Sequence, residues 1–309
     1  MQTIQKLLNR TAKRQTERLD AELILAHSLG KTREWIIAHP EHAPPLLERW
    51  RFKRNVSKRM HGLPLAYITG YKTFFGLNFV VNKYTLIPRP ETELLVEETL
   101  NIIKTESKNI PKKNTLLIDI GTGSGCIPIS ILESISKTLG NSENNQRIAT
   151  IATDISGKAL KIAKKNQKKH ATKIKFIKQN LLPPASVLVS YLKKTDLILI
   201  TANLPYLSEE QWNSESSIKY EPKAALVAPD QGLGLYKNLF RQIVDVIQKD
   251  ETELKQKKIY ILCEIGPCQS ARLTTYIKKI IKNADIKIKK DLSGLERCFI
   301  IRIDKKLCL

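Results

Sequence analysis

"TLLIDIGTGSG", residues 115 to 125, decides the fold. Its first six residues are apolar except for Thr115 and Asp119, and glycines then recur at alternate positions, Gly121, Gly123 and Gly125. A short apolar run that stops at glycines reads as a buried strand turning sharply into a helix. Glycine is needed at such a turn because a side chain would keep the backbone away from a ligand, while the helix that follows offers unpaired N–H groups. A dinucleotide fingerprint would place its third glycine at position 126, where Cys126 stands. The spacing is therefore GxGxG and not GxGxxG.

Downstream, strand and helix patterns alternate: a helix from Cys126 to Leu139, "IATIATDI", a lysine-rich helix, "KIKFIKQN", "TDLILITAN", a helix from Gly234 to Lys249, "KIYILCEIG", a helix from Gln269 to Asn283, "DIKIKKDL" and "RCFIIRID". Such alternation predicts a mostly parallel sheet with helices on both faces, an α/β Rossmann-like fold of seven strands. The last two strands leave no room for a crossover helix, so they are expected to pair antiparallel through "SGLE". Upstream, "TIQKLLNR", "DAELILAHSLG", "TREWIIAH" and "PPLLERWRFKRNVSKRM" repeat apolar residues at helical spacing, and Gly62-Leu63-Pro64 closes this bundle. "YKTFFGLNFVVNKYTLIP" is aromatic and β-branched around Gly76, which predicts a hairpin. The expected division is an N-terminal helical substrate-recognition domain over 1–70, a hairpin linker over 71–90 and a catalytic domain over 91–309.

Bulk properties narrow the class without naming a substrate. A chain of 309 residues with 42% apolar content suits two domains. No window nears the roughly eighteen apolar residues of a membrane span, and charges break the N-terminus where a signal peptide needs an apolar core, so a cytoplasmic protein without membrane contact is expected. Five cysteines without CxxC pairs and five scattered histidines predict neither a disulfide framework nor a metal site. The formal charge of +22 is concentrated in stretches such as "KALKIAKKNQKKHATKIKFIK", residues 158 to 178. It favours contact with the ribosome, RNA or an acidic protein, and a solvated lysine-rich helix face is the plainer alternative.

The GxGxG loop, Gly121, Thr122, Gly123, Ser124 and Gly125, resembles the S-adenosylmethionine loop of the seven-strand methyltransferases. The neighbouring strand ends add ligand groups where open α/β sheets bind them. "TIATDIS" ends in Asp154, which can accept hydrogen bonds from both hydroxyls of a ribose. Asn180 offers an amide to the adenine edge and Leu181 an apolar surface to the ring, while Asp119 either holds the loop amides or touches the cofactor. Capping of the following helices is the alternative role for Asp154 and Asn180.

The fourth strand end delivers "NLPY", Asn203 to Tyr206. Asn203 can accept one N–H of a planar NH2 group and the carbonyl of Leu204 the other. Pro205 restricts Leu204 to extended conformations, and Tyr206 offers a ring face for stacking. Beside a methyl donor this suits methylation of a planar nitrogen, in a glutamine side chain, adenine or cytosine.

Over almost the whole chain the sequence resembles the peptide chain release factor glutamine methyltransferases. The resemblance rests on "DAELILAHSLG", "GLPLAYITGYKTFFGLNFVVNKYTLIPRPETELLVE", "DIGTGSGCIPIS", "YEPKAALVAPDQGLGLY", "CEIGPCQ" and "DLSGLERCFIIRI". "LIPRPETE", residues 86 to 93 with Arg89 and Glu91, sets it apart from the related enzymes acting on a ribosomal protein. The resemblance implies S-adenosylmethionine as cofactor and class I peptide chain release factors as substrates; a monomer is the expected state. It puts the cofactor at Gly121 to Gly125, Asp154 and Leu181, and the substrate at Asn203, Leu204, Pro205 and Tyr206. The family pattern is Asn-Pro-Pro-Tyr, and Leu204 replaces its first proline. Asn-Leu-Pro-Tyr is typical of ribosomal RNA adenine dimethyltransferases, so an RNA or DNA adenine amino-methyltransferase is the alternative reading.

Overall fold

The computed structural model describes residues 2–11, 15–109, 114–139, 148–249, 254, 257–282 and 284–303. Cys308 and Asn283 thus lie outside the described residues. The chain divides into two compact units, Met1–Tyr71 and Lys72–Leu309.

The first unit is helical: α1 (Ile4–Thr11), α2 (Gln15–Leu29), α3 (Arg33–Ala38), α4 (Leu46–Met60) and α5 (Leu65–Thr69). Helical spacing puts Ile4, Leu7 and Leu8 of α1 on one face, and they close on Ile24 and Leu25 of α2, Ile36 of α3 and Phe52 of α4. Glu22 is buried on α2 and is matched by Arg18 at 3.2 Å and Arg33 at 2.9 Å, which offsets its loss of water.

The unit boundary falls after the first residue of a hairpin of β1 (Tyr71–Phe74) and β2 (Leu77–Val80), the rest of which belongs to the second unit. Phe75 and Gly76 make its two-residue turn with φ of 49° and 69°, both in the left-handed region that such a turn requires. Helix α6 (Glu93–Asn109) follows, then β3 (Thr115–Ile120), α7 (Cys126–Leu139), β4 (Ile148–Asp154), α8 (Gly157–Lys169), β5 (Lys175–Lys178), α9 (Ala185–Leu192), β6 (Leu197–Ala202) and α10 (Glu209–Ser214). The chain continues through α11 (Gly234–Lys249), β7 (Lys258–Glu264), α12 (Ser270–Ile280), β8 (Asp285–Lys290) and β9 (Glu296–Ile303). Asn166 of α8 donates to the Val80 carbonyl at 2.9 Å and accepts the Val80 N–H at 2.7 Å. The hairpin is therefore bonded to the second unit and is more than a connecting segment.

The seven-stranded sheet has the order β5-β4-β3-β6-β7-β9-β8. All pairings are parallel except those of β9, which runs antiparallel to both β7 and β8. The expected hairpin through "SGLE" is thus present, and β9 enters the sheet between its partner and β7. Strands β3 and β6 are buried along their whole length, as continuous apolar runs in the middle of a parallel sheet should be. Alternate residues serve opposite faces: Leu116, Ile118 and Ile120 meet Tyr236, Phe240 and Ile243 of α11, whereas Leu117 meets Leu95 and Val96 of α6. From β3 the chain winds one way to β4 and β5 and then the other way to β6 and β7. That reversal opens a crevice at the carboxyl ends of β3 and β6.

Candidate active site

The expected ligand groups at the crevice are set by strand ends. After β3, residues Gly121, Gly123 and Gly125 all have positive φ, of 69°, 55° and 80°, a region that costs a residue with a Cβ strain. They do different work. A Cβ on Gly125 would meet Ile129 Cδ1 at 3.2 Å and Ala163 Cβ at 3.3 Å, so this glycine allows α7 and α8 to approach. A Cβ on Gly123 would meet only the Gly121 carbonyl at 4.0 Å, so this glycine faces open space.

Asp154, at the end of β4, holds the loop. Its Oδ2 accepts the Gly123 N–H at 2.8 Å and its Oδ1 the Ser156 N–H at 2.7 Å, leaving lone pairs on both oxygens. Burial raises its pKa, opposed by those two backbone bonds. It does not cap α8, whose N-cap is Ser156, and Asn180 does not cap α9, whose N-cap is Pro184. Leu181 is left-handed with φ 65°, and Thr153 steadies it by donating its hydroxyl to the Leu181 carbonyl at 2.7 Å.

Asp119 lies under the loop. It is 0% exposed, its Oδ1 accepts the Thr201 hydroxyl at 2.7 Å, and its Oδ2 has no partner among the described residues. Burial, opposed by the nearby Thr122 and Thr201 hydroxyls and reinforced by Asp154, raises its carboxyl to about 7. Thr122 Oγ1 is also buried without a partner among the described residues. The loop amide is thus held by Asp154 and not by Asp119.

At the end of β6 the side chain of Asn203 uses both of its donor hydrogens on protein. Nδ2 donates to Thr92 Oγ1 at 3.0 Å and to Glu264 Oε2 at 2.9 Å. Glu264, the last residue of β7, is 2% exposed and also accepts the Thr92 hydroxyl at 2.6 Å and the Tyr206 hydroxyl at 3.1 Å. Burial raises its pKa, with Thr92, Arg297 and Tyr206 pulling the other way. Because its NH2 is committed, the Asn203 amide is locked with its oxygen turned away from Glu264. Neither that oxygen nor the Leu204 carbonyl receives a hydrogen bond among the described residues.

The strand ends enclose a cleft of about 250 Å³ that brings together Gly121, Thr122, Gly123, Ser124, Asp154, Asn180, Leu181, Asn203, Leu204 and Pro205. Three of the expected site residues stand outside its lining: Asp119 beneath the loop, Gly125 between helices, and Tyr206, whose ring packs on the core with its hydroxyl on Glu264. Arg89 forms part of the cleft wall, ion-paired with Glu221, which also accepts the Ile87 N–H at 2.9 Å. Among the described residues no group of three His, Cys, Asp or Glu is placed to hold a metal ion.

Residues 2–70 match the PrmC N-terminal domain family. The chain is 33% identical over 287 residues to the release factor glutamine methyltransferase of Bacillus subtilis, covering 92% of this chain and 91% of that one. The chain belongs to the release factor glutamine methyltransferase family. The Enterococcus faecalis member is 35% identical over 269 residues, covering 86% of this chain and 85% of that one. The "Bifunctional methyltransferase" of Rickettsia typhi is 31% identical over 82% of this chain and 48% of its own length.

For a release factor glutamine methyltransferase family member, the residues that sequence reasoning overlooked are those that orient the others. Glu264 had a readable signal, an acid closing a fifth strand as Asp154 closes the second. Thr92 sits inside "LIPRPETE" without a chemistry of its own to mark it. Thr201 and Tyr236 had no signal, since their hydroxyls act only through partners that the sheet brings from far along the chain.

Proposed function

We propose that the chain transfers a methyl group from S-adenosylmethionine to the side-chain amide nitrogen of the glutamine in the Gly-Gly-Gln loop of class I translation release factors. The observation that carries this reading is the locked Asn203 amide, with its oxygen and the Leu204 carbonyl left as two acceptors at the edge of the cleft.

The cleft fits the cofactor by its own chemistry. Gly123 opens the backbone where a side chain would fill space, and Asp154 keeps lone pairs for a diol. In this reading Gly121 to Ser124, Asp154, Asn180, Leu181 and Asn203 hold S-adenosylmethionine, while Asp119 and Gly125 shape the loop from outside the cleft lining. When bound, it supplies an electrophilic sulfonium methyl. The protein's part is alignment. Asn203 and the Leu204 carbonyl each accept one N–H of the substrate amide, which turns the nitrogen's plane to present its lone pair, and such positioning is a large share of what an enzyme can contribute. Glu264 is spent on three neighbours and serves to orient rather than to take a proton. The alkylated amide nitrogen is acidic enough to lose its proton without a strong base.

The supporting surfaces are electrostatic. Lys158, Lys161, Lys164, Lys165 and Lys168 form an exposed stripe on α8, and residues 157–178 contain no acid. This stripe suits an acidic release factor surface or ribosomal RNA encountered beside it. The helical unit recognises the release factor. The enzyme acts as a monomer in the cytoplasm. No helix among the described residues is long and apolar enough to cross a membrane.

The test is to incubate the protein with methyl-labelled S-adenosylmethionine and, in parallel, a class I release factor, the same factor with its loop glutamine replaced by alanine, and deproteinised ribosomal RNA. Label is expected in the first alone. Label in the RNA, or equal label in the glutamine-free factor, would overturn the reading.

A further inference from the structure

A proline at position 204 would bring no N–H; leucine brings one. Leu204 is 3% exposed, so this donor lies in the interior and needs an acceptor. The Tyr236 hydroxyl provides it, accepting the Leu204 N–H at 3.1 Å. Tyr236 stands on α11 and is fully buried. A phenol has one proton and two lone pairs, and here the proton goes to the Glu264 backbone carbonyl. One oxygen atom therefore ties the exit of β6 to the end of β7. Burial raises the phenol well above its ordinary pKa, so the hydroxyl keeps its proton at any working pH.

The Leu204 side chain is fixed as well. A Cβ built on Gly121 would lie 3.0 Å from Leu204 Cδ2, which places the leucine directly over the Cα of the first loop glycine. The N–H holds the peptide plane on one side of the Leu204 N–Cα bond, and the packed side chain holds the substituents on the other. Together they fix φ, the same angle that a proline ring fixes covalently. Pro205 limits the conformation of Leu204 beyond that bond.

We propose that Tyr236 is a positioning residue for methyl transfer: its hydroxyl, by holding the Leu204 N–H, sets the direction of the Leu204 carbonyl that receives the substrate amide. The inference rests on the reading of that carbonyl as the amide acceptor. It explains how the chain keeps a rigid acceptor with leucine at position 204, and it makes Tyr236 and Leu204 a functional pair.

Four proteins test it: the wild type, Tyr236→Phe, Leu204→Pro and the double variant, each assayed for single-turnover methyl transfer to a class I release factor and for S-adenosylmethionine binding. Tyr236→Phe is expected to slow transfer about tenfold by leaving a buried N–H unpaired, with cofactor affinity changed less than about twofold. Leu204→Pro removes that N–H, so the double variant should be faster than Tyr236→Phe alone. An equal cost of Tyr236→Phe in both backgrounds would mean that Tyr236 acts by packing or through Glu264, and would overturn the inference. If Leu204→Pro does not fold, amide exchange decides: Leu204 should exchange faster in Tyr236→Phe than in the wild type while Ile200 is unchanged, and an unaltered Leu204 rate would overturn it. A wild type that transfers no methyl to the factor would count against the proposed function instead, and the exchange measurement would still decide whether Tyr236 holds Leu204.

Discussion

A carboxylate that is buried and already accepts three hydrogen bonds has little left to offer a substrate, and Glu264 is such a group. Its value lies in asymmetry. Because Thr92, Asn203 and Tyr206 all donate to it, it holds Asn203 with NH2 inward and oxygen outward. Glu264→Gln keeps the volume but introduces a donor against Asn203 or Tyr206, so transfer should fall about 10- to 100-fold, a loss on the scale of one or two hydrogen bonds to a charged group, with cofactor affinity nearly unchanged. Parallel turnover and binding titrations check this; equal losses in both would make Glu264 part of the cofactor site. Asp119 gives a pH prediction. Its carboxyl is raised from 3.8 to about 7 in the folded chain, so the folded state favours the protonated form. The stability this contributes is complete below pH 3.8 and is lost as pH climbs through about 7, at up to about 1.4 kcal/mol per pH unit. Asp119→Asn lacks that slope, so its melting temperature should gain on the wild type between pH 5 and pH 8. A constant difference across that range would show a carboxyl ionised throughout.

At the scale of the elements, glycines separate fold from site. Gly232, at φ 85° just before α11, has no room at all: a Cβ there would lie 1.9 Å from the Tyr206 carbonyl oxygen and 2.7 Å from Gln269 Nε2. Gln269 Nε2 donates to that carbonyl at 2.9 Å, so Gly232→Ala would push apart the loop that carries residues 203–206. We expect it to cost more than about 3 kcal/mol in urea unfolding and to abolish transfer. Gly123→Ala should cost about 1 kcal/mol of backbone strain and yet weaken cofactor binding strongly, because its methyl enters open cleft. The opposite ranking of the two in stability would contradict the geometry. The contrast shows what was legible in the chain. "GTGSG" announces a tight strand-to-helix turn, since three alternate glycines close an apolar run, and the ligand groups at the neighbouring strand ends turned that into a site expectation. The glycine of "DQGLGLY" is equally indispensable but was unreadable, because the carbonyl that excludes its side chain belongs to a residue 26 positions earlier.

At the scale of the whole molecule, the sheet was readable because each central strand is a short apolar run and most crossovers are helices of distinct pattern, whereas the crossover α9 between β5 and β6 was not read from the sequence. The antiparallel β8 and β9 followed from the lack of chain for a crossover. Not readable was the use made of the hairpin β1 and β2, whose bonds run to Asn166, 86 residues away. The net charge of +22 also acts at this scale. If it steers an acidic partner, the association rate with a release factor should fall steeply as salt rises from about 50 to about 300 mM, while the dissociation rate changes little. Replacing Lys161, Lys164, Lys165 and Lys168 by glutamine should flatten that dependence; a rate indifferent to both would leave the stripe as a solvated helix face.

The bonds that orient the Asn203 end of the site are distant in sequence: Asn203 to Glu264 spans 61 residues, Arg89 to Glu221 spans 132, and Thr92 to Glu264 spans 172. Loop closure over such distances makes them slow to form, so the site should be the last part of the second unit to mature. In refolding from denaturant, helical circular dichroism should return first and methyl transfer afterwards. A chain caught with its sheet incompletely registered would look folded and be inert, which makes the first appearance of activity a clock for completion of the fold.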